Sequence, residues 1–510
     1  MKNRHLYTTV KESAECYPDK TAISYNGVHI SYSELLRRIE CAAAWFQKIG
    51  LNKGDRIGIL MHNCPEFIVC FYAAMKLGLI SVSINVMFTK SEVNYILKDA
   101  GIKVLLANRT YLDSVLYDGA PLNLTSQFYA LSYERNSFAA ILSFEKICLD
   151  DIPPLDINVH SEDIAVIAYT SGTTGFPKGA VHSHENIVRH LSGIRDYLGF
   201  NSEDVFLAAL PFFQLVAYLI HVGLSLLVGG KLVILEKFDI RVFLKNLEKE
   251  KATFFAGVPT IYQMIYDSGS ASDLSSVRFG ICAGSPLGPS LRSRFEEVYN
   301  FRIIHCYGLT EISLIAACEN PKTPAVGTSV GKPLPYIRLR LTKDGEKEID
   351  SEEVGAIEIG TERAMMYYWN NPSETQAAIR NGWLDTGDMG YIDGAGNLHI
   401  IDRKKDMIIR GGFNVYPAEL ERILLEDSRV VETAIIGIPH DRLGEIPKAF
   451  VVLKNEAADD KEDIRQEANR KLAKYKAIET IEVVEPSFFP RNALGKILKR
   501  HLKKNGGKKL

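Results

Sequence analysis

Between Ser33 and Ala107 the apolar residues switch repeatedly between a helical and an extended spacing. Leu35, Leu36, Ile39, Ala43 and Phe46 form a helical stripe closed by Gly50, and Arg56 to Met61 then reads as a strand. Pro65 opens a helix ending near Gly78, Ile80 to Val86 is a strand, Ser91 to Ala100 a helix and Ile102 to Ala107 a strand. Because parallel strands need crossover connections, this alternation implies α/β architecture with a largely parallel sheet covered on both faces. With 510 residues, of which 46% are hydrophobic, the chain exceeds what one core serves and two or more domains are expected.

The texture changes after about residue 400. Asp402-Arg403-Lys404-Lys405-Asp406 is a charge run joining two apolar segments; in isolation it reads more readily as a solvated hairpin turn than as a hinge. Beyond it lie a helix started by Pro417, strands at Val431 to Gly437 and Ala449 to Leu453, a charged helix near Lys461 to Leu472 and a strand near Ile481 to Val484. These suffice for a small α+β domain. The expected division is 1–402, a hinge at 403–406 and a C-terminal domain at 407–510.

Sixty basic and 62 acidic residues leave a net charge of -2, which provides no basic face for nucleic acid. Eight scattered cysteines without a CxxC pair read as reduced thiols in a cytoplasmic protein. The N-terminal residues carry no apolar core of signal-peptide length. Val205 to Val228 is apolar, yet Pro211, Gln214, His221 and Ser225 interrupt it, so a buried strand, turn and helix are expected rather than a transmembrane segment. The C-terminal Lys508-Lys509-Leu510 lacks the small residue of a peroxisomal address and reads as a solvated tail.

The strand Ile164 to Tyr169 feeds Thr170-Ser171-Gly172-Thr173-Thr174-Gly175-Phe176-Pro177-Lys178-Gly179. Glycines bring backbone N–H groups close to an anion, hydroxyls add donors, and Lys178 supplies a point charge, so the loop suits phosphate oxygens. It is not the common P-loop, since Pro177 precedes the lysine and Gly179 follows where Ser or Thr would hold magnesium. Taken alone such a loop is as readily a polar surface turn.

Four further segments follow in order: Tyr307-Gly308-Leu309-Thr310-Glu311, Gly382 to Asp388, Asp402 to Glu421, and Pro490 to Lys496. With the loop, they resemble the adenylate-forming (AMP-binding) superfamily, and within it acyl-CoA synthetases, from Thr21-Ala22-Ile23-Ser24-Tyr25 to the final lysine motif. The resemblance implies a large N-terminal domain of layered, mostly parallel sheets and helices with a small mobile α+β C-terminal domain, and ATP, Mg2+ and coenzyme A as cofactor and co-substrates. It further implies that Tyr307 stacks on adenine beside Gly284, Ser285 and Pro286, that Thr310 donates to the α-phosphate and that Glu311 holds Mg2+. Asp388 would accept from the ribose hydroxyls with Arg403 as its partner, Lys405 would occupy the hinge, and Gly411 and Gly412 would let a pantetheine arm pass. Lys496 would neutralise charge as the carboxylate attacks the α-phosphate. Apart from the family pattern, Lys496 reads as one lysine of a basic tail, and Gly411-Gly412 as a hairpin turn.

The chemistry implied has two steps: a carboxylate displaces pyrophosphate from ATP to give acyl-AMP, and the thiol of CoA then displaces AMP. By resemblance, the small domain swings about Lys405 between the steps. Pro211 to Tyr218 matches a pocket-lining stretch of the family, with Gln214 where many acyl-CoA synthetases carry His. No acid occurs from Pro211 to Val228, and Phe212, Phe213, Leu215 and Val216 suit an apolar acyl chain. Asn414 to Pro417 and Gly257 to Thr260 resemble medium- and long-chain fatty-acid ligases most. An aryl-acid ligase, an enzyme loading a separate carrier protein, a luciferase-like oxidative user of the adenylate and a catalytically silent relative are the alternatives. Expected partners are the acid, ATP and CoA, with a homodimer allowed.

Overall fold

The computed structural model describes residues 4–108, 110–111, 127–131, 141–142, 155–170, 177–269, 273–323, 327–343, 347–350, 352–454, 461–491, 495 and 497–504. Two compact units emerge, one of residues 1–325, 333–338 and 360–384, the other of 326–332, 339–359 and 385–510.

In the first unit the expected alternation is present. Helices Tyr32–Lys48, Pro65–Leu77 and Lys90–Asp99 alternate with strands Arg56–Leu60, Ile80–Ser83 and Ile102–Asn108. Each helix end has a local cause. The Ser31 hydroxyl accepts from the Glu34 N–H, Pro65 opens the second helix while Gly78 ends it in the left-handed region, and Thr89 with Glu92 forms a capping box. One sheet runs Ile141–Leu142, Gln127–Leu131, Ile102–Asn108, Arg56–Leu60, Ile80–Ser83, Ile164–Thr170, Lys178–Ser183, parallel until its antiparallel last pair. The aliphatic residues Leu60, Val82, Ile96, Leu105 and Ile167 pack as its core.

A second sheet includes, in this order, Ile315–Cys318, Arg302–Gly308, Phe279–Cys282, Phe254–Gly257, Val205–Ala208, Lys231–Ile234, Thr21–Tyr25 and Val28–Ser31. Its inner strands are parallel and the outermost pair at each of these ends is antiparallel. The expected strand, turn and helix at 205–228 appear as strand Val205–Ala208 and a helical stretch Leu215–Val228 with a π-turn at Leu219–Gly223. Among the described residues no helix is long and apolar enough to cross a membrane.

A buried ion pair is tied to strand Arg302–Gly308 through its backbone at Ile303 and His305. Arg292 donates to both oxygens of Glu319, at 2.9 and 2.6 Å, and Glu319 also accepts from the His305 N–H at 2.9 Å. Arg292 also reaches Glu296 at 3.2 Å, yet removing Glu319 takes away its bidentate partner and leaves a buried charge only partly compensated. Glu319→Ala is therefore expected to destabilise the protein by about 3 kcal/mol in denaturant unfolding; a shift within error would show that the pair is neutral.

In the second unit, antiparallel strands Leu339–Lys343, Gly355–Gly360, Trp383–Ile392 and Leu398–Arg403 precede a C-terminal sheet. That sheet runs Phe413–Val415, Ile408–Arg410, Gly444–Leu453, Val430–His440, with Thr480–Val483 parallel to Gly444–Leu453. Helices Pro417–Leu425 and Lys461–Arg470 contribute Leu420, Leu424, Ile464 and Ala468 to its core.

Candidate active site

In parallel sheets ligands gather at the carboxyl ends of strands. The second sheet places Gly257, Ala283 to Pro286, and Gly308 to Glu311 just beyond three adjacent parallel strands. Gly284 and Ser285 form a bend there, followed by Pro286, with the Ser285 hydroxyl donating to the Gly284 carbonyl at 2.9 Å. Tyr307 is 9% exposed on the last of the three strands, opposite Ala317. Gly308 follows because nothing larger fits: a Cβ would stand 2.1 Å from the Leu314 carbonyl oxygen.

Thr310–Ile312 is a single 3-10 turn held from two sides. The His182 Nε2–H donates to the Thr310 carbonyl at 2.8 Å, which fixes that tautomer, while the Met365 N–H donates to the Glu311 carbonyl at 2.5 Å. The Tyr368 hydroxyl donates to Glu311 Oε1 at 2.9 Å. His182 is fully buried, and desolvation holds its pKa down at about 4 against the pull of the Thr310 carbonyl, so it is neutral.

Tyr368 comes from an extended segment lying along strand Lys178–Ser183. The Met366 N–H donates to Val181, the Val181 N–H to Tyr367 and the Trp369 N–H to Gly179, at 2.8, 3.0 and 2.7 Å. This pairing brings Lys178 to the site: its ammonium pairs with Glu374 and lies 5.5 Å from the centre of the Tyr368 ring. Glu374 stands in the first turn of helix Pro372–Ala378, where the Asn371 side chain caps its N–H. Thr170, paired opposite Lys178, closes the strand that enters the loop. Ser171, Gly172, Thr173, Thr174 and Gly175 lie outside the described residues, as does Lys496.

Phe213, Gln214 and Val216 are half-buried around the start of helix Leu215–Tyr218, while Phe212 is buried against Phe67 and Tyr218. His221 links this stretch to the sheet, donating from Nδ1 to the Ala217 carbonyl at 2.9 Å and accepting from the Ala256 N–H at Nε2 at 3.2 Å.

In the second unit Asp388 is buried on strand Trp383–Ile392, in register with Arg403, whose Nε lies 2.7 Å from Asp388 Oδ1. The Gly387 N–H is held by Asp385 and the Asp388 N–H by Thr386 Oγ1, at 2.9 and 3.2 Å, so the carboxylate is aimed by its backbone. Lys405 is exposed in the turn at 404–406. Gly411 and Gly412, with φ of +58° and +85°, make the hairpin turn between Ile408–Arg410 and Phe413–Val415. Lys499 and Glu421 form a half-buried pair at 2.7 Å: desolvation pushes the Glu421 carboxyl up, while Glu421 and Asp402 hold the Lys499 ammonium charged against it.

Sequence reasoning missed Tyr368, Glu374 and His182. The Met365 to Trp369 run was the available signal, but nothing in it indicates pairing with residues 179–181.

No group of three or more His, Cys, Asp or Glu suited to a metal occurs among the described residues. The lone, partly exposed Glu311 carboxylate nevertheless fits magnesium, which keeps water and substrate phosphates as most of its ligands.

Residues 10–369 match the model of the family described as AMP-binding enzyme, and 419–496 that of the AMP-binding enzyme C-terminal domain. The long-chain-fatty-acid–CoA ligase of Bacillus subtilis (strain 168) is 33% identical over 98% of this chain and 94% of its own length. The feruloyl-CoA synthase of an Amycolatopsis species is 31% identical over 99% and 100%. Among solved structures, ATP-bound MatB from Rhodopseudomonas palustris superposes with a TM-score of 0.90 at 29% identity, covering 99% of each chain. The anthranilate CoA ligase AuaEII in complex with anthranoyl-AMP gives 0.90 at 26% identity, over 100% of this chain and 98% of its own. The chain belongs to the AMP-binding enzyme family and is an AMP-forming acyl-CoA synthetase.

Proposed function

We propose that this enzyme activates an apolar carboxylic acid, a fatty acid foremost, and passes it to CoA. The observation that carries the acid class is the Phe212 to Val216 stretch, apolar except for Gln214 and anchored by Phe212 on Phe67 and Tyr218. An acidic or zwitterionic substrate would need a charged partner there. The acid's carboxylate attacks the α-phosphorus of ATP and pyrophosphate leaves; the CoA thiol then attacks the acyl carbonyl and AMP leaves.

The residues divide the work. Tyr307 stacks on adenine beside 284–286, Thr310 and the 170–175 loop donate to phosphate oxygens, and Lys178 meets their charge once it exchanges Glu374 for them. Glu311 would hold Mg2+, which when bound spreads the phosphate charge. Asp388, oriented by Arg403, accepts from the ribose; Lys405 is the pivot of the 403–406 hinge, and Gly411 and Gly412 admit the pantetheine arm. Cytoplasmic placement belongs to the same reading, and the seven described cysteines, which are thiols rather than disulfides, support it.

Purified enzyme offered Mg-ATP, CoA and acids of increasing chain length, with ferulate and anthranilate alongside, is expected to form thioester best with an aliphatic chain. Preference for an aryl acid would replace the fatty-acid reading, as the 31% identical feruloyl-CoA synthase would favour. Thioester appearing only on a phosphopantetheinyl carrier protein would replace CoA as acceptor.

Lys496 belongs to the first step alone. Lys496→Ala is expected to slow acid-dependent ATP–pyrophosphate exchange about ten- to a hundredfold, the loss of a charge-assisted contact, while thioester formation from synthetic acyl-AMP stays within about twofold. Equal losses in both assays would remove that assignment.

A further inference from the structure

We infer that Tyr368 is a positioning residue that holds the Glu311 carboxylate and the Lys178 ammonium in register for the metal–nucleotide complex. The inference deepens the proposed function and rests on its assignment of Glu311 to Mg2+.

A carboxylate on a partly exposed 3-10 turn is free to rotate about its last torsion, and a cation that prefers octahedral geometry tolerates little of that motion. Tyr368 removes it. A phenol has one proton to give, and it is spent on Oε1 at 2.9 Å, which leaves Oε2 for a cation. The phenol is itself fixed: the Tyr368 N–H donates to Thr375 Oγ1 at 2.9 Å, its neighbours on both sides are bonded to strand Lys178–Ser183, and the residue is 8% exposed. The face of the same ring lies 5.5 Å from the Lys178 ammonium, where its quadrupole attracts the cation. One rigid side chain therefore touches the two groups that the proposed chemistry sets around the phosphates, although they are far apart in sequence.

Tyr368→Phe keeps the ring beneath Lys178 and deletes only the hydroxyl. The test uses the full chain, Mn2+ as the metal and α,β-methylene-ATP, with free Mn2+ read by electron paramagnetic resonance. Y368F is expected to weaken Mn2+ binding to the nucleotide-saturated enzyme about tenfold, the scale of a hydrogen bond to a charged group, with an unchanged melting temperature. The Mg2+ concentration giving half-maximal pyrophosphate exchange should rise by the same factor, with the rate recovering at high Mg2+. Glu311→Gln should lose more metal affinity than Y368F. Parent-like Mn2+ affinity in Y368F beside a weakened E311Q overturns the inference and leaves the Glu311 assignment standing. Parent-like affinity in E311Q overturns that assignment, and the inference with it. If Y368F melts early, 3-fluorotyrosine placed at 368 gives the second reading. Its 19F resonance is expected to move when Mg2+ is added to the nucleotide-saturated enzyme, and an unmoved resonance overturns the inference.

Discussion

Asp388→Ala is expected to lower both half-reactions, acyl-AMP formation and thioester formation from acyl-AMP, by a hundredfold or more. The ribose stays bound through both steps, so a group that holds it cannot be spared in either. A carboxylate accepting from two hydroxyls makes two charge-assisted hydrogen bonds, each contributing about 1.5–3 kcal/mol. Together these correspond to roughly a hundred- to ten-thousandfold in binding or rate. Stability should suffer far less, because the partner left behind, Arg403, is 42% exposed and water resolvates it. The measurement is ATP–pyrophosphate exchange beside single-turnover thioester formation, with a thermal melt as control. Parent-like kinetics in either half-reaction removes the ribose assignment, and a collapsed melt reassigns Asp388 to the fold.

The second large effect is acid destabilisation. Four fully buried histidines, 182, 184, 190 and 221, are held neutral by desolvation, with pKa values pushed down to about 4, 3, 4 and 4. Carbonyl partners oppose the shift at His182, His190 and His221; at His184 the neighbouring His5 adds to it. In the unfolded chain each returns to about 6.5. The folded pKa values are depressed, so the stabilisation is complete above pH 6.5 and is lost as the pH falls from there toward 4, where only the unfolded state takes up protons. Each histidine contributes a slope of about 1.4 kcal/mol per pH unit and on the order of 3 kcal/mol across the window; four approach the whole stability of a domain. Melting temperature should therefore fall steeply between pH 6.5 and 4.5, before most carboxylates titrate. Calorimetry in buffers of different ionisation enthalpy should find close to four protons taken up on unfolding at the acid end. His221→Gln, whose amide can replace both hydrogen bonds, should reduce that uptake by about one. A flat profile across this range would contradict the burial of these rings.

These histidines also mark how far local pattern reaches. His182 reads in sequence as one polar residue in Ala180-Val181-His182-Ser183, and no spacing rule links it to Thr310, 128 positions away. Glu374 is an ordinary first-turn acid until the sheet edge carries it to Lys178, 196 positions earlier. The Asp388–Arg403 pair was anticipated only through the family pattern, and the register of two antiparallel strands brings it about.

The sequence alone determined the elements and the chemistry classes. Helix and strand follow from apolar period, proline and glycine, all local, so Pro65–Leu77, Ile102–Asn108 and Pro417–Leu425 fall within a few residues of where the pattern puts them. The motifs were likewise legible because contiguous residues such as Thr310-Glu311 and Gly387-Asp388 carry donors and acceptors in fixed order. Only the tertiary structure decided which side chains hold those groups in place. Tyr368 meets Glu311 and Lys178 because residues 366–369 pair with a strand some 190 positions before them, and such a contact depends on strand register, to which no local spacing is sensitive.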